Sequence, residues 1–257
     1  MWTLGWRNGG RLLRGGELSL GPMRMSVVIP THNEAQAIGR VLADIPSHLA
    51  ADIIVVDSGS SDGTPEIAAS HGARVIQEPR RGYGRACLTG LAAADSPDVV
   101  VFLDGDYSDR PAEMPPLLAP IVEGRADITI GSRLHERRSA GALPWHQAFG
   151  NQLAAGLIRR LYGVKITDLG PFRAARAEVL RQLSLEEPTY GWAVEMILKG
   201  ALRGFRIVEV PVSHHPRIGK SKISGTVRGT LGAAWFIFSL IVRYYFRNRR
   251  TGIPRPA

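Results

Sequence analysis

The chain has 257 residues, of which 44% are hydrophobic and 21% charged, so it is long enough to bury the core of a globular domain. Its single cysteine, Cys87, excludes an intrachain disulfide framework and a cysteine-based zinc site, and is typical of a cytoplasmic protein. The net charge of +9 comes from residues 210–257, which hold nine basic residues and no carboxylate; a uniformly basic nucleic-acid binder is therefore not indicated.

The first 24 residues differ in composition from the rest of the chain. They carry six glycines, four arginines and one glutamate, and no continuous apolar run, so a secretory signal is not indicated. We expect residues 1–24 to be a disordered extension. A targeting segment or an upstream start codon are the alternatives.

From residue 26 onward, short apolar runs alternate with amphipathic helical segments. The predicted strands are Ser26–Pro30, Asp52–Asp57, Ala73–Ile76, Asp98–Leu103, Ala126–Ile130 and Arg206–Val210. The predicted helices are Glu34–Asp44, Thr64–Ser70, Gly84–Ala94, one that opens at Pro111, Pro144–Tyr162 and Tyr190–Arg203. This alternation predicts an α/β fold with a mostly parallel sheet and helices on both faces.

An acidic cluster follows the fourth predicted strand. Asp104 and Asp106 are separated by Gly105, and they come directly after an apolar run typical of a buried strand. Ligands of open α/β sheets bind at the carboxyl ends of strands. Two carboxylates this close repel each other unless a cation lies between them, and oxygen ligands suit Mg²⁺ or Mn²⁺. A solvated acidic turn is the alternative.

Three more polar motifs follow predicted strands, at the same expected edge of the sheet. They are Pro30–Glu34, Asp57–Thr64 and Gly131–Arg133. Asp57 can accept from a base N–H or a ribose hydroxyl, and Thr31 and Asn33 offer donors. Gly82–Ala86 does not match a dinucleotide fingerprint, although Arg85 there can face a phosphate. Four such motifs at one edge predict a ligand site.

The C-terminal tail, residues 227–257, contains the uncharged run Leu231–Val242 followed by aromatic residues and arginines. Twelve residues are too few for a membrane-spanning helix, which needs about 20. An amphipathic or apolar helix lying on the membrane surface, with its arginines on headgroups, is favoured. Packing on the catalytic domain or on a partner subunit is the alternative.

The chain closely resembles the family 2 glycosyltransferases, which have the Rossmann-like GT-A fold. The matching segments are Val27–Glu34, Ile54–Asp57, Ser61–Thr64, Gly82–Gly90 and Phe102–Asp106. The resemblance implies a GT-A domain over residues 25–226, a nucleotide-sugar donor, a divalent metal and inversion at the anomeric carbon. It also implies that Asp57 contacts the nucleoside and that Asp104 and Asp106 serve donor and metal, together with the substrate-binding positions Pro30, Thr31, Asn33 and Glu34.

Segments of the second half narrow the resemblance to the polyprenyl-phosphate (dolichyl-phosphate) hexose synthases. They are Ile128–Arg133, Asp168–Arg173, Trp192–Met196, Val208–Val212 and Arg217–Lys222. Many relatives that glycosylate a sugar hydroxyl carry a Glu-Asp pair where this chain has Trp192 and Ala193, so the expected base is absent.

A phosphate acceptor accounts for that difference, because a phosphate monoester has its second pKa near 6 and needs no deprotonation at neutral pH. It needs positive charge, for which Arg133, Arg217, Lys220 and Lys222 are the candidates. His215 is a further candidate metal ligand. Glu195 is expected to bind substrate by orienting a basic residue, with a purely structural role as its alternative.

The sequence therefore predicts a metal-dependent hexosyltransferase acting on a UDP- or GDP-hexose and polyprenyl phosphate, at the cytoplasmic face of the membrane. A soluble phosphorylated or carboxylated acceptor, as in glucosyl-phosphoglycerate synthases, is the second hypothesis. A non-catalytic sugar-nucleotide-binding protein is the third. Nucleic acid is not an expected partner, and homo-oligomerisation stays open.

Overall fold

The computed structural model describes residues 11–12, 18–19, 23–49, 52–133, 145–219 and 227–251. The central sheet contains β1 Met25–Thr31, β2 Asp52–Asp57, β3 Arg74–Gln77, β4 Val99–Phe102, β5 Ile128–Ser132, β6 Arg173–Arg176 and β7 Ile207–Pro211. The helices are α1 Ala35–Ala43, α2 Thr64–Ser70, α3 Tyr83–Ala93, α4 Met114–Val122, α5 Trp145–Tyr162, α6 Ala177–Leu183, α7 Trp192–Leu202 and α8 Val227–Thr251. A 3-10 turn, Pro111–Glu113, precedes α4.

The strands lie in the order β3-β2-β1-β4-β6-β5-β7. β6 pairs antiparallel with both β4 and β5, whereas the other four pairings are parallel. Two successive antiparallel pairings restore the original direction, so β5 and β7 run the same way as β1 to β4. The prediction of a mostly parallel α/β sheet is confirmed, and the carboxyl ends of six strands meet at one edge.

Alternate residues of each strand enter two separate cores. Val28 and Phe102 face one layer, which contains α3, α5, α7 and α8. Val27, Ile29 and Val101 face the other, which contains α1, α2 and α4. Because both faces of the sheet are covered, the central strands β1 and β4 are almost entirely apolar and buried, as in other parallel sheets.

The sequence analysis missed β6 and α6. β6 has the sequence Arg-Ala-Ala-Arg, which contains no β-branched or aromatic residue and gives no strand prediction. All four residues are buried because β6 lies between β4 and β5. Position in the sheet, and not local composition, determines this strand. β5 also extends further than predicted, since its pairing with β7 continues to Ser132.

The C-terminal helix α8 packs against the domain. Leu240 and Ile241 on one of its faces are buried in the core layer that holds α5 and α7. The Tyr162 hydroxyl at the end of α5 donates to the Ile241 carbonyl at 2.6 Å. Within the described ranges, no helix combines the length and apolar content that crossing a bilayer requires.

Most of residues 1–24 lie outside the described residues. The part that is described includes Arg11–Leu12 paired antiparallel with Leu18–Ser19. The expectation of a disordered extension over 1–24 therefore stays a prediction.

Candidate active site

The Asp57 carboxylate lies at the carboxyl end of β2 and is only 1% exposed. The N–H groups of Gly59 and Ser60 donate to its Oδ2 at 3.1 and 2.9 Å. The hydroxyls of Ser60 and Thr31 approach Oδ1, Thr31 at 3.5 Å. A carboxylate offers about four acceptor positions, so protein groups alone hold Asp57 in one orientation.

The loops after β1 and β2 are joined beside Asp57. The Asn33 N–H donates to Ser60 Oγ at 2.8 Å, and the Ser61 N–H donates back to Asn33 Oδ1 at 2.8 Å. The Glu34 N–H donates to Thr64 Oγ1 at 2.8 Å. Asn33 has a φ of 54°, in the left-handed region that asparagine tolerates better than most residues. The structure thus brings together the predicted positions Pro30, Thr31, Asn33, Glu34 and Asp57.

Three carboxylates form a cluster after β4. Oδ1 of Asp104 and both carboxylate oxygens of Asp109 are buried and accept no hydrogen bond from any described residue. Asp106 is 7% exposed and accepts from the Ser108 N–H at 2.9 Å. Burial, together with the charges of Asp106 and Asp109, holds the pKa of Asp104 well above its usual range. The cluster therefore carries more negative charge than its surroundings stabilise, which a bound cation would relieve.

Two glycines let the main chain approach closely around this cluster. A Cβ on Gly105 would lie 2.8 Å from Thr31 Cγ2, so the ends of β4 and β1 come together only because residue 105 has no side chain. A Cβ on Gly84 would lie 2.1 Å from the Glu187 carbonyl oxygen. The Gly84 N–H instead donates to the Thr189 carbonyl at 3.1 Å, which seats the start of α3 on this loop.

The first turn of α3 carries two half-buried side chains, Tyr83 and Arg85, whose polar atoms are buried. Burial and the nearby charge of Asp104 raise the pKa of Tyr83, whose hydroxyl therefore lies beside the acidic cluster. Arg85, predicted to face a phosphate, belongs to the same turn, and its Nε bonds to no residue in the described part of the chain.

Arg217 reaches the cluster from the loop after β7. Its guanidinium donates to Glu34 Oε1 at 3.0 Å and lies 3.4 Å from Asp106 Oδ2. The Ile218 N–H also donates to the Asp106 carbonyl at 2.9 Å. Arg217 was predicted to contact phosphate, and the structure pairs it with two carboxylates of the site. Lys220 and Lys222 lie outside the described residues.

Arg133, at the end of β5, pairs with a carboxylate that the sequence analysis gave no role. Its Nε and Nη2 donate to the two Asp168 oxygens at 2.8 and 2.9 Å, and its N–H adds a third bond at 2.9 Å. Asp168 is fully buried and also accepts from Asn151 Nδ2 at 3.0 Å. Burial would raise the pKa of Asp168, but the Arg133 charge, together with the hydrogen bonds from Arg133 and the Leu169 N–H, lowers that pKa overall. Two guanidinium nitrogens of Arg133, Nε and Nη2, are thus already bonded to Asp168.

The two histidines after β7 have different surroundings. His214 is buried, and its Nδ1 lies 3.5 Å from Asp109 Oδ1. His215, the predicted candidate ligand, donates its N–H to the Ser108 carbonyl at 2.9 Å. Burial, then the charge of Arg110, lowers the pKa of His215, so its imidazole is neutral at pH 7. Asp104, Asp106 and Asp109 are close enough for their charges to interact, but within the described residues no three His, Cys, Asp or Glu side chains converge closely enough to hold a metal ion without rearrangement.

Glu195 is 1% exposed and is bonded to protein groups at both oxygens. Oε2 accepts from the N–H groups of Glu186 and Glu187 at 3.0 and 2.8 Å. Oε1 accepts from the Tyr244 hydroxyl at 2.9 Å and lies 2.8 Å from Lys199 Nζ. Glu195 was predicted to orient a basic residue, and Lys199 is such a residue, although the same contacts also fit a structural role. Its assignment to substrate binding stays a prediction.

The first turn of α7 carries Trp192 and Ala193 at the floor of the site. The Trp192 ring packs edge-on against Phe102, with centroids 4.7 Å apart. Arg173, fully buried, donates from Nη1 to the Ala193 carbonyl at 2.7 Å and from Nε to the Gly170 carbonyl at 3.2 Å. Sequence reasoning gave Arg173 no separate role. Its only signal was its place at the end of the Asp168–Arg173 motif.

Comparison with known proteins identifies the family. A family model described as glycosyl transferase family 2 matches residues 26–184. The chain belongs to glycosyl transferase family 2. It is therefore a glycosyltransferase with a GT-A-like fold, and the resemblance drawn from the strand-end motifs is confirmed.

Two of the relatives below have names that describe hexose transfer involving a polyprenyl phosphate. A dolichyl-phosphate hexose transferase of Haloferax volcanii is 38% identical over 202 residues, covering 77% of this chain and 86% of the relative. An undecaprenyl-phosphate mannosyltransferase of Micrococcus luteus is 32% identical over 248 residues, covering 90% and 100%. An uncharacterized glycosyltransferase of Mycobacterium tuberculosis is 38% identical over 209 residues, covering 80% and 93%.

Among solved structures, the glucosyl-3-phosphoglycerate synthase of Mycobacterium tuberculosis is similar to this glycosyltransferase. Its complex with Mn²⁺, UDP and phosphoglyceric acid superposes with a TM-score of 0.69 at 27% identity, covering 91% of this chain and 80% of that one. Another structure of the same synthase contains Mg²⁺ and UDP.

Proposed function

We propose that this glycosyltransferase moves a hexose, with inversion, from a nucleoside-diphosphate sugar to a polyprenyl phosphate, and that it requires Mg²⁺ or Mn²⁺. The observation that carries the proposal is the start of α7, where Trp192 and Ala193 replace a carboxylate pair. An acceptor that is already ionised fits this arrangement. The named activities of the dolichyl- and undecaprenyl-phosphate relatives support the same acceptor class.

The donor nucleoside is assigned to the joined loops after β1 and β2. Protein groups fill the acceptor positions of Asp57, and the longest of these contacts is that of the Thr31 hydroxyl, at 3.5 Å, which also bonds to the Val56 carbonyl. A base N–H or ribose hydroxyl would take the place of this hydroxyl on Asp57. Pro30, Thr31, Asn33 and Glu34 would form the wall of this pocket.

A divalent cation fits the acidic cluster. Asp104 has a buried oxygen that accepts no hydrogen bond from the described residues, and Asp106 Oδ2 lies 3.4 Å from the Arg217 guanidinium. Asp106 would be a direct ligand and Asp104 would support the metal or the ribose, with His215 as a further candidate ligand. When bound, the ion would neutralise charge on the diphosphate leaving group.

The acceptor phosphate needs positive charge and no general base. Arg217 opens the sequence segment Arg217–Lys222, and we assign its basic residues Arg217, Lys220 and Lys222 to the acceptor phosphate and the donor diphosphate. Arg85 offers an unused buried Nε. Arg133 donates its hydrogen bonds to Asp168. It would therefore act on phosphate through its positive charge, which interacts electrostatically with Asp109 and Asp104 of the acidic cluster.

We also propose that residues 25–226 are the catalytic domain and that 227–257 hold it at the cytoplasmic face of a membrane. Exposed aromatic residues on α8 support this proposal, because Trp235 and Phe246 are 77% and 57% exposed while Leu240 and Ile241 on another face are buried against the domain. Membrane contact would place the enzyme where a lipid-linked acceptor is found.

Transfer to a soluble phosphorylated or carboxylated acceptor is the second candidate. It is favoured by the fold similarity to glucosyl-3-phosphoglycerate synthase, whose structures contain phosphoglyceric acid. Family membership argues for transfer over a non-catalytic binding role. Homo-oligomerisation is compatible with either acceptor.

A donor panel crossed with an acceptor panel tests both candidates. UDP-glucose, UDP-GlcNAc and GDP-mannose are each incubated with polyprenyl phosphate or 3-phosphoglycerate, with Mn²⁺, Mg²⁺ or EDTA. Sugar transfer to polyprenyl phosphate that stops in EDTA is the expected result. If only 3-phosphoglycerate is glycosylated, the second candidate function replaces the first. If transfer is undiminished in EDTA, the enzyme does not require a metal ion.

A further inference from the structure

The turn that carries the acidic cluster contains a tyrosine in an unusual backbone conformation. Tyr107, which directly follows Asp106, has a φ of 61°, in the left-handed region. Glycine and asparagine adopt this conformation readily, whereas for a bulky side chain it is a rare outlier. Such conformations persist only where the surrounding structure fixes them, and they are concentrated at functional sites. The contacts of the Tyr107 side chain must therefore hold this backbone in place.

Two side chains hold the Tyr107 ring. The Tyr107 hydroxyl donates to Oδ2 of Asp44, a residue 63 positions earlier in the chain. The Arg110 guanidinium carbon lies over the ring, 4.3 Å from its centroid, in a cation–π contact. The ring is half-buried and packs against the core layer of α1, α2 and α4. The hydrogen bond to Asp44, together with burial, raises the pKa of Tyr107, so its hydroxyl stays protonated and remains a donor at neutral pH.

Asp44 lies where helix α1 gains nothing from a carboxylate. It is the C-cap residue of α1. The C-terminus of a helix carries partial negative charge, so a carboxylate there is electrostatically unfavourable for the helix. The hydroxyl of Tyr107 supplies Asp44 with a donor from outside the helix. The Tyr107–Asp44 pair therefore serves the acidic turn and not the helix that carries Asp44.

The main chain on both sides of Tyr107 belongs to the candidate site. The Ser108 N–H donates to Asp106 Oδ1 at 2.9 Å. The carbonyl groups of Asp106 and Ser108 accept from the N–H groups of Ile218 and His215, each at 2.9 Å. Because the φ and ψ of one residue set the relative direction of its two neighbours, a change of backbone at Tyr107 would reorient the Asp106 carboxylate.

We propose that Tyr107 is a positioning residue, and that its bond to Asp44 and its contact with Arg110 hold residues 106–109 in the conformation that aims Asp106 at the divalent cation. We call the Tyr107–Asp44 bond the tether. This inference rests on the metal site of the proposed function, and it deepens that proposal by naming what orients the metal ligand. Groups that orient a ligand tune metal affinity without touching the metal. A tether that only joins α1 to the turn is the competing outcome.

The tether can be removed from either end. Tyr107→Phe keeps the ring that contacts Arg110 and loses the hydroxyl, whereas Asp44→Ala loses the acceptor. Asp44→Asn keeps an oxygen acceptor and is the conservative variant. Glu123→Ala is the matched control, because Glu123 is the C-cap residue of α4 and bonds to the exposed Arg125. This control also deletes a carboxylate from the C-terminus of a helix in the same core layer.

Calorimetry measures UDP binding to each full-length variant, with Mn²⁺ and in EDTA. Tyr107→Phe and Asp44→Ala should each reduce the Mn²⁺-dependent gain in UDP affinity about tenfold. The double variant should lose no more than either single variant, because both substitutions remove the same bond. Asp44→Asn should lie between Asp44→Ala and the parent, since a neutral acceptor bonds less strongly than a charged one. Glu123→Ala should bind like the parent, and UDP affinity in EDTA should be the same in all variants.

Amide hydrogen exchange of the metal-free proteins reports on the turn without a cation. The amides of residues 106–110 should exchange faster in Tyr107→Phe and Asp44→Ala than in the parent or in Glu123→Ala. Unchanged exchange would overturn the proposal.

Two binding results would also overturn it. Faster exchange with unchanged Mn²⁺-dependent binding would show that the tether only joins α1 to the turn. Weaker UDP binding in EDTA would show that the substitutions disturb the nucleoside pocket. If Mn²⁺ and Mg²⁺ do not strengthen UDP binding by the parent, the metal requirement of the proposed function is wrong, and hydrogen exchange alone decides whether the tether holds the turn.

Discussion

The polar groups of the first half of the site and those of the second half are held by different forces. After β1 and β2, Asp57 and Asn33 bond to main-chain N–H groups and hydroxyls of these two neighbouring loops. After β5 and β7, Arg133 and Arg217 are held by carboxylates that belong to other elements. Hydrogen bonds to fixed backbone leave one arrangement, whereas charge pairs can exchange partners when a charged ligand arrives.

This difference fits the chemistry assigned to each half. A nucleoside is recognised by directional hydrogen bonds, which need a rigid pocket. Phosphates and a metal ion are recognised by charge, which a movable guanidinium can follow. Four predictions test the comparison, from the largest expected effect to the smallest.

The largest effect is expected from Asp106→Ala. If Asp106 ligates the metal, transfer should fall by at least about a thousandfold, because charge stabilisation of the leaving diphosphate is lost. Titration calorimetry with Mn²⁺ and UDP should show metal-dependent nucleotide binding weakened in parallel. Asp95→Ala, at an exposed carboxylate outside the site, is the control. Near-normal transfer by the Asp106 variant would remove the cluster from the metal site.

Asp168→Asn should be the most destabilising of the four. It leaves the buried Arg133 guanidinium without its counter-charge, which should lower the free energy of unfolding by about 3 kcal/mol. Thr31→Val, which removes one neutral donor to Asp57, should cost only about 1 kcal/mol. Denaturant unfolding compares the two. The double variant Arg133→Met/Asp168→Asn should recover part of the loss; equal costs for Asp168→Asn and Thr31→Val would contradict the contrast between the halves.

Asp104→Asn should stabilise the metal-free protein in a pH-dependent way. The folded-state pKa of Asp104 is raised, so the folded chain holds a proton that the unfolded chain releases, and its stability falls as pH rises above the unfolded value. Removing the carboxyl should therefore raise stability by roughly 1–2 kcal/mol at pH 8, and by less at pH 5. Thermal unfolding at both values measures it, and added Mn²⁺ should stabilise only the parent. If Asp104→Asn raises the free energy of unfolding equally at both pH values, ionisation of Asp104 is not the cause.

Tyr244→Phe should have the smallest effect. It removes one of the donors to the buried Glu195 and leaves Lys199 in place, so the expected cost is about 1 kcal/mol in unfolding free energy. Transfer should be unchanged if Glu195 is structural. A loss of transfer without a loss of stability would return Glu195 to the substrate-binding residues.

The sequence predicted features whose cause is local. Runs of apolar residues predicted the strands β1, β2 and β4. The carboxylates that follow these strands were predicted as site residues because the residues after a strand lie at the edge of the sheet. Pairings between distant residues were not predictable from one sequence. Arg217 and Glu34 are 183 positions apart, and nothing near either residue indicates the other.

Other misses have the same origin. β6 is a strand because of its neighbours, although its residues favour none. Asp109 and His214 were visible as residue types, but only the bridge between their two segments places them together. The sequence alone could not decide which of His214 and His215 lies nearer the acidic cluster, because that depends on the bridge between Asp109 and His214.

The Arg217 guanidinium has a thermodynamic consequence for the order in which ligands assemble. It serves as an internal counter-ion for Asp106 and Glu34, and it gives up these contacts if a metal ion takes Asp106. Linkage is reciprocal: whatever draws Arg217 away, such as an acceptor phosphate, strengthens cation binding by the same factor by which the cation strengthens phosphate binding. One arginine would thus make metal and acceptor bind cooperatively without any rearrangement of the sheet.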